Sequence, residues 1–139
     1  MMSRAEFAGV VCGTFLSVHS PLCAPQNPVS AAGDAASGEL AFNNACRTCH
    51  TINKDDNRLG PNLYQIIGRT AGSAPNYAYS SAMAGADFVW DQEKLDRFIQ
   101  NPDAVVPGNA MKPYGGMASA DTRAKVIAFL RSLASVRSP

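Results

Sequence analysis

The chain has 139 residues, 46% of them hydrophobic and 17% charged, and its 12 basic and 11 acidic residues give a formal net charge of +1. That length suits one domain of ordinary size, or a smaller one behind a targeting segment, and nothing argues for a second core. No block of five or six like charges occurs, so the sequence offers no electrostatic footprint for nucleic acid or for an anionic membrane.

The first thirty residues differ from the rest. Arg4 precedes an apolar stretch over 7–18, Pro21, Pro25 and Pro28 then bar a helix, and the small residues Ser30, Ala31 and Ala32 follow. This reads as a secretory leader cleaved after Ala31 or Ala32, so residues 1–32 are expected to leave and residues 33–139 to form the mature domain. The apolar stretch of twelve residues falls short of the about 20 that a membrane-spanning helix needs, so no stable membrane insertion is expected after cleavage. Glu6 is an unusual neighbour for the basic end. Cys12 and Cys23 lack the context of a lipid-attachment site and are expected to leave with the leader. Loss of Arg4 and Glu6 removes one charge of each sign and leaves the balance at +1.

Residues 34–45 are helical in character, with Asp34 as a cap and Leu40, Ala41, Phe42 and Ala45 supplying an apolar side. Gly38 costs such a helix about 1 kcal/mol relative to alanine, so it marks a close approach by another helix. This helix delivers the pentapeptide Cys46-Arg47-Thr48-Cys49-His50. Two thiols separated by two residues and followed at once by an imidazole have the spacing of covalent haem attachment. Each sulfur would form a thioether with one haem vinyl group, with His50 beneath the iron as proximal ligand. Other uses of these residues are weaker. A closed zinc site wants four ligands, and the remaining histidine and cysteines, His19, Cys12 and Cys23, fall in the leader. A thioredoxin-like redox pair belongs in a βαβ pattern that the chain lacks, and a buried inert pair leaves His50 unexplained.

A polar segment over 53–58 leads to Leu59-Gly60-Pro61-Asn62-Leu63, a turn signal that is expected to enter a short apolar helix ending at Ile67. A ligating histidine donates its other ring N–H to a carbonyl or carboxylate, and Pro61 can offer a carbonyl from a rigid turn. Its plainer role is that of a helix-starting proline. Residues 68–86, rich in Gly, Ala and Ser, read as loops and short turns. Trp90 opens a clearer helix over 91–100, with Leu95, Phe98 and Ile99 on its buried side and Asn101-Pro102 as its stop. A final helix over 120–135, begun by Ser119, Asp121 or Thr122, buries Val126, Ile127, Phe129, Leu130 and Leu133. No segment alternates convincingly enough to be a strand, so the domain is predicted to be all-α.

Between the last two helices lies a proline- and glycine-rich loop over 107–117 that carries Met111 and Met117. Such a loop is a poor core element, so its methionines call for a reason. A soft thioether can complete the coordination of haem iron, although a methionine taken alone more often packs.

Here the sequence resembles the class I cytochromes c, especially the mitochondrial type and its soluble bacterial counterparts. The resemblance runs through Gly33-Asp34, Gly38, Phe42, the 46–50 motif, Gly60-Pro61-Asn62-Leu63, Gly68-Arg69, Gly72 and Ala74-Pro75. It continues in Tyr79, Trp90, Asn101-Pro102, Pro107-Gly108 and Met111. It implies the class I fold, short helices and loops wrapped around one haem c attached through Cys46 and Cys49, with the first and last helices crossing. It selects Met111 over Met117 and Met83 as sixth ligand, because the family's ligand lies three residues past its Pro-Gly pair. It also implies a carbonyl from Pro61 to His50, and Arg69, Tyr79 and Trp90 near a haem propionate, where the last two each offer one donor.

Two departures stand out. Phe98 falls where the family commonly has tyrosine, which predicts an altered potential and a changed Met111 bond. Tyr114 takes the place of the family's aromatic at the haem edge, with a one-residue insertion nearby. Mitochondrial-type relatives also ring that edge with lysines, whereas this chain has Ala45, Asp103 and Ala110 at three such places, leaving Arg47, Arg58 and Lys112 as candidate cations. A weakly charged, more apolar docking face around Tyr114, Gly115 and Gly116 is expected.

The function so implied is that of a soluble, monomeric electron carrier in the periplasm and not an enzyme. Its partners would be redox proteins such as a membrane cytochrome complex, an oxidase, a reductase or a dehydrogenase. The alternatives are a haem enzyme or gas sensor with a labile sixth ligand, which Met111 argues against, and a zinc module without haem.

Overall fold

Helix α1 (Pro28–Ala45) crosses helix α5 (Ala120–Ser135) at Gly38, where a Cβ would stand 2.5 Å from the Lys125 carbonyl oxygen and 2.9 Å from Phe129 Cβ. This is the close approach that the glycine predicted. One turn further on, the rings of Phe42 and Phe129 meet with centroids 5.5 Å apart. The computed structural model describes residues 28–135, with side chains over 35–134. The leader and its Cys12, His19 and Cys23 lie outside the described residues.

The buried side of α1 is narrower than its sequence suggested. Gly38 and Phe42 are buried and Ala41 is half-buried, but Leu40 is 61% exposed. Leu40 is two positions from Gly38, about 200° around the helix, which turns it away from α5. Ala45, at the last helical position, is exposed as well. The helix also starts earlier than expected, at Pro28, a residue well suited to the first helical position. Asp34 therefore lies inside the helix and does not cap it.

Helix α5 holds to its predicted bounds and buries Val126, Ile127, Phe129 and Leu130, with Leu133 half-buried. Of its three candidate starts Ser119 is the one used, since its Oγ accepts from the Thr122 N–H at 3.2 Å. Arg123, only 5% exposed, joins α5 to helix α3 (Gln92–Gln100). Its Nε donates to Asp96 Oδ1 at 2.8 Å, and its Nη1 donates to the carbonyls of Met117 and Ala118 at 2.8 and 2.9 Å. A buried guanidinium is tolerable only when paired and hydrogen-bonded in this way.

Asp91 caps α3 by accepting from the Lys94 N–H, and Leu95, Phe98 and Ile99 form its buried side as predicted. Asn101-Pro102 ends α3 and also begins helix α4 (Pro102–Val105), which the sequence reading did not anticipate. Asn101 Oδ1 accepts from the Ala104 N–H, and Pro102 occupies the start of the new helix. Within the expected loop region, helix α2 (Ser81–Ala84) turns Met83 into the core.

The helix expected to end at Ile67 is absent. Residues 61–67 form turns, and Gln65 adopts φ 47°, a left-handed conformation that interrupts any right-handed helix. The following segment lies antiparallel to residues 88–90: Ala71 N donates to Phe88 O, Trp90 N to Arg69 O and Gly68 N to Trp90 O, at 2.8–2.9 Å. This isolated bridge is the only β pairing among the described residues. It sets Trp90 edge-on against Phe88 and Phe98, with centroids 4.8 and 5.0 Å away.

The crossing sets a stability prediction. Gly38→Ala gains about 1 kcal/mol of helix propensity, but overpacking against backbone and Cβ atoms costs about 1–3 kcal/mol, so a net loss is expected. Leu40→Ala, on the exposed face, should stay within about 0.5 kcal/mol of wild type. Denaturant titration of the purified protein reads both, and a stabilised Gly38→Ala would show that the helices separate freely.

Candidate haem site

The pentapeptide continues α1 as one further turn. Cys46 N and Arg47 N donate to the Phe42 carbonyl, and Cys49 N and His50 N donate to the Cys46 carbonyl at 3.1 and 2.9 Å. In such a turn positions i, i+3 and i+4 share a face, which brings Cys46, Cys49 and His50 to one side. Both cysteines are free thiols and half-buried. Burial, reinforced by Cys49, pushes the Cys46 thiol up to about 11. Among the described residues no group of three or more His, Cys, Asp or Glu side chains is placed to hold a metal ion.

His50 is 8% exposed, and its Nδ1 lies 2.7 Å from the Pro61 carbonyl. The carbonyl can only accept, so Nδ1 carries the proton and Nε2 keeps its lone pair for a metal. Burial lowers the His50 pKa; the Pro61 carbonyl acts the other way and Arg69 adds to the lowering. The ring is held in the neutral form that ligation needs.

The chain delivers Pro61 by folding back along the motif. Gly60 N donates to Cys49 O and Leu63 N to Thr51 O, both at 2.7 Å. Gly60 touches the imidazole itself, since a Cβ there would stand 2.7 Å from Nδ1 and 2.9 Å from Nε2. Side chains that the sequence reading passed over fix this return. Thr51 Oγ1 donates to Asp56 O, Asn57 Oδ1 accepts from both the backbone and side-chain nitrogens of Asn62, and Tyr77 OH donates to Leu59 O at 2.8 Å. Among these only Asn62 belonged to a quoted motif; the others carry no signal in spacing.

The expected propionate contacts gather on the neighbouring turn. Arg69 Nη2 donates to the Asn62 carbonyl at 2.7 Å, and Nη1 donates to Asn62 Oδ1 and to the Tyr64 carbonyl. The backbone pairing puts Trp90 beside Arg69, and Tyr79 lies within electrostatic reach of the guanidinium. Burial raises the Tyr79 pKa, so its phenol is neutral, and its oxygen accepts from the Ala74 N–H at 3.3 Å.

Met111 is half-buried and packs against the core from a segment without secondary structure. Its N–H donates to Asn109 Oδ1 at 2.9 Å. Met83 is core and Met117 packs against it, with its N–H on the Ile99 carbonyl. Tyr114 is half-buried, its hydroxyl donates to the Ile99 carbonyl at 2.7 Å, and burial pushes its pKa up to about 12. Of the candidate docking cations, Lys112 is paired with Asp103, which leaves Arg47 and Arg58 exposed.

The residues present fit a covalently held haem. Two thiols and one oriented imidazole share a face, and a side chain at Gly60 would occupy the space of the ring. Residues 35–134 match the family profile described as cytochrome c. Cytochrome c of Euglena viridis is 40% identical over 101 residues, 73% of this chain and 98% of the relative. Cytochrome c2 of Rhodopila globiformis is 39% identical over 101 residues, covering 73% of this chain and 94% of its own. The solved structure of cytochrome cH from Methylobacterium extorquens superposes with a TM-score of 0.65 at 37% identity, over 72% of this chain and 99% of that one. The sequence matches and the superposition agree with the motif face and its oriented imidazole: this chain belongs to the cytochrome c family, holding one haem c through Cys46 and Cys49 and carrying electrons.

Proposed function

We propose that the protein is a soluble, monomeric carrier of single electrons in a periplasm or comparable compartment, with His50 and Met111 as the axial ligands of its haem. The observation that carries this reading is Met111 packed against the core from an irregular loop, its backbone N–H fixed by Asn109. The haem supplies the change between ferrous and ferric iron. The chain's own residues position and enclose it. His50 offers Nε2 because Pro61 holds Nδ1–H, and Met111 offers a soft sulfur of the kind found in electron-transfer sites. With His50 and Met111 both holding the iron, the haem would offer no open position to a substrate, and no residue is assigned acid, base or nucleophilic work.

Arg69, Tyr79 and Trp90 are assigned to one haem propionate, a charge that the Arg69 guanidinium complements. Thioether formation and the leader both favour a compartment outside the cytoplasm. Cleavage after Ala31 or Ala32 would trim the first turn of α1, which starts at Pro28, and leave the Gly38 crossing intact. No helix among the described residues is long and apolar enough to cross a membrane. The partners proposed are redox proteins, such as a membrane cytochrome complex, an oxidase, a reductase or a dehydrogenase, met through a weakly charged face where Lys112 is neutralised by Asp103.

Three outcomes test this reading. Met111→Ala should abolish the near-infrared absorption of sulfur bound to ferric iron and open the reduced protein to carbon monoxide. A retained native spectrum, or rapid carbon monoxide binding by wild type, would overturn the ligand assignment. Electron transfer to a redox partner should slow only weakly with added salt, because a weakly charged face leaves little long-range steering for salt to screen; a steep fall would contradict the docking proposal. Phe98→Tyr adds a hydroxyl to a buried ring that packs against Trp90 and should shift the midpoint potential measured by redox titration; an unchanged potential together with an unchanged alkaline loss of Met111 would refute the role given to Phe98.

A further inference from the structure

A ring of polar contacts through Asn109, Asp103 and Lys112 closes on the Met111 backbone, and all three residues lie outside the ligand set. On one side the Met111 N–H donates to Asn109 Oδ1 at 2.9 Å. Asn109 is 6% exposed and uses its amide fully, with Nδ2 donating to Asp103 Oδ1 at 2.8 Å and to the Val106 carbonyl at 3.0 Å. On the other side Lys112, next in sequence to Met111, pairs with the second oxygen of Asp103. Asp103 belongs to α4, whose start is fixed by the Asn101 cap and the buried Pro102. One carboxylate thus grips the residues flanking the thioether from both directions.

We propose that Asn109 is a positioning residue for Met111, and that Asp103 acts through Asn109 and Lys112 as a bracket that sets how readily the Met111 sulfur leaves the iron. This rests on Met111 being the sixth ligand. The contribution is one of geometry and not of charge energy. The Asp103–Lys112 pair is more than half exposed on both sides, and such a pair contributes little to stability by itself. A loop with no secondary structure has backbone freedom to lose, and each hydrogen bond that restricts it beforehand raises the fraction of time the sulfur stands ready to bind.

The bracket is tested with haem-loaded wild type, Asn109→Ala, Asp103→Asn, Lys112→Gln and the Asp103→Asn/Asn109→Ala double variant. The readouts are the near-infrared sulfur band of the ferric protein and the apparent Kd of added imidazole, which competes with Met111. Asn109→Ala should weaken the band and bind imidazole about 3- to 10-fold more tightly, the scale of one neutral hydrogen bond. Asp103→Asn and Lys112→Gln should shift it less, in the same direction. The double variant should resemble Asn109→Ala alone, since residues acting in one network are not additive. Gly38→Ala, which strains the helix crossing at Lys125 and Phe129 and meets none of the bracket residues, should leave imidazole affinity unchanged and so separates positioning from general destabilisation. Unchanged affinity in Asn109→Ala and Asp103→Asn, additive effects, or an equal shift in Gly38→Ala would each overturn the bracket. If Asn109→Ala fails to load haem, the exposed Asp103 and Lys112 variants decide the matter. A wild type without the sulfur band would instead sink the Met111 assignment itself.

Discussion

The hydrogen bond from His50 Nδ1–H to the Pro61 carbonyl governs what the rest of the site can do. It selects one tautomer, leaves one lone pair and fixes the plane of the ring. It also requires the chain to return beneath the motif within eleven residues, and every polar contact of that return serves the same end. Gly60 lies against the ring, Cys49 and Thr51 accept from the returning backbone, and Asn57 ties Asn62 while reaching the Pro75 carbonyl at 2.8 Å. A loop with little regular structure is thereby as specified as a helix. Its hydrogen bonds are satisfied locally, as the burial of Thr51 and Asn62 demands.

Much of this was legible from residue spacing. The 46–50 motif follows from its spacing, the buried sides of α3 and α5 from periodicity and a close approach at Gly38 from its place in a helix, while the crossing with α5 and the Pro61 carbonyl on His50 are what the family resemblance implies. What was not legible depends on backbone angles and on partners distant in sequence. The apolar run at 63–67 looked helical, yet Gln65 adopts a left-handed angle that no composition rule signals. Asn101-Pro102 reads as a helix stop, and it serves at once as stop and start because the asparagine side chain accepts the Ala104 N–H of the next helix. Leu40 looked buried because apolar residues are counted without their angle around the axis.

Charge placement shows the same division. Simple counting gives a nearly neutral chain, which is correct as a statement about long-range fields. It misses that the charges are used locally. Arg123 closes the joint between α3 and α5 and supports the backbone at Met117 and Ala118. Asp103 pairs with Lys112 at the surface, and Arg69 organises the turn at Asn62 and Tyr64. A weak net field and a dense set of short-range pairs are compatible, since each pair cancels itself at a distance and holds a loop at close range.

The pairing of Phe42 with Phe129 joins the earliest described helix to the latest. The two rings lie far apart in the sequence, and a contact so distant is slow to form. The turn that carries Cys46 and Cys49 continues α1, so it takes its final place only when α5 has docked on that helix.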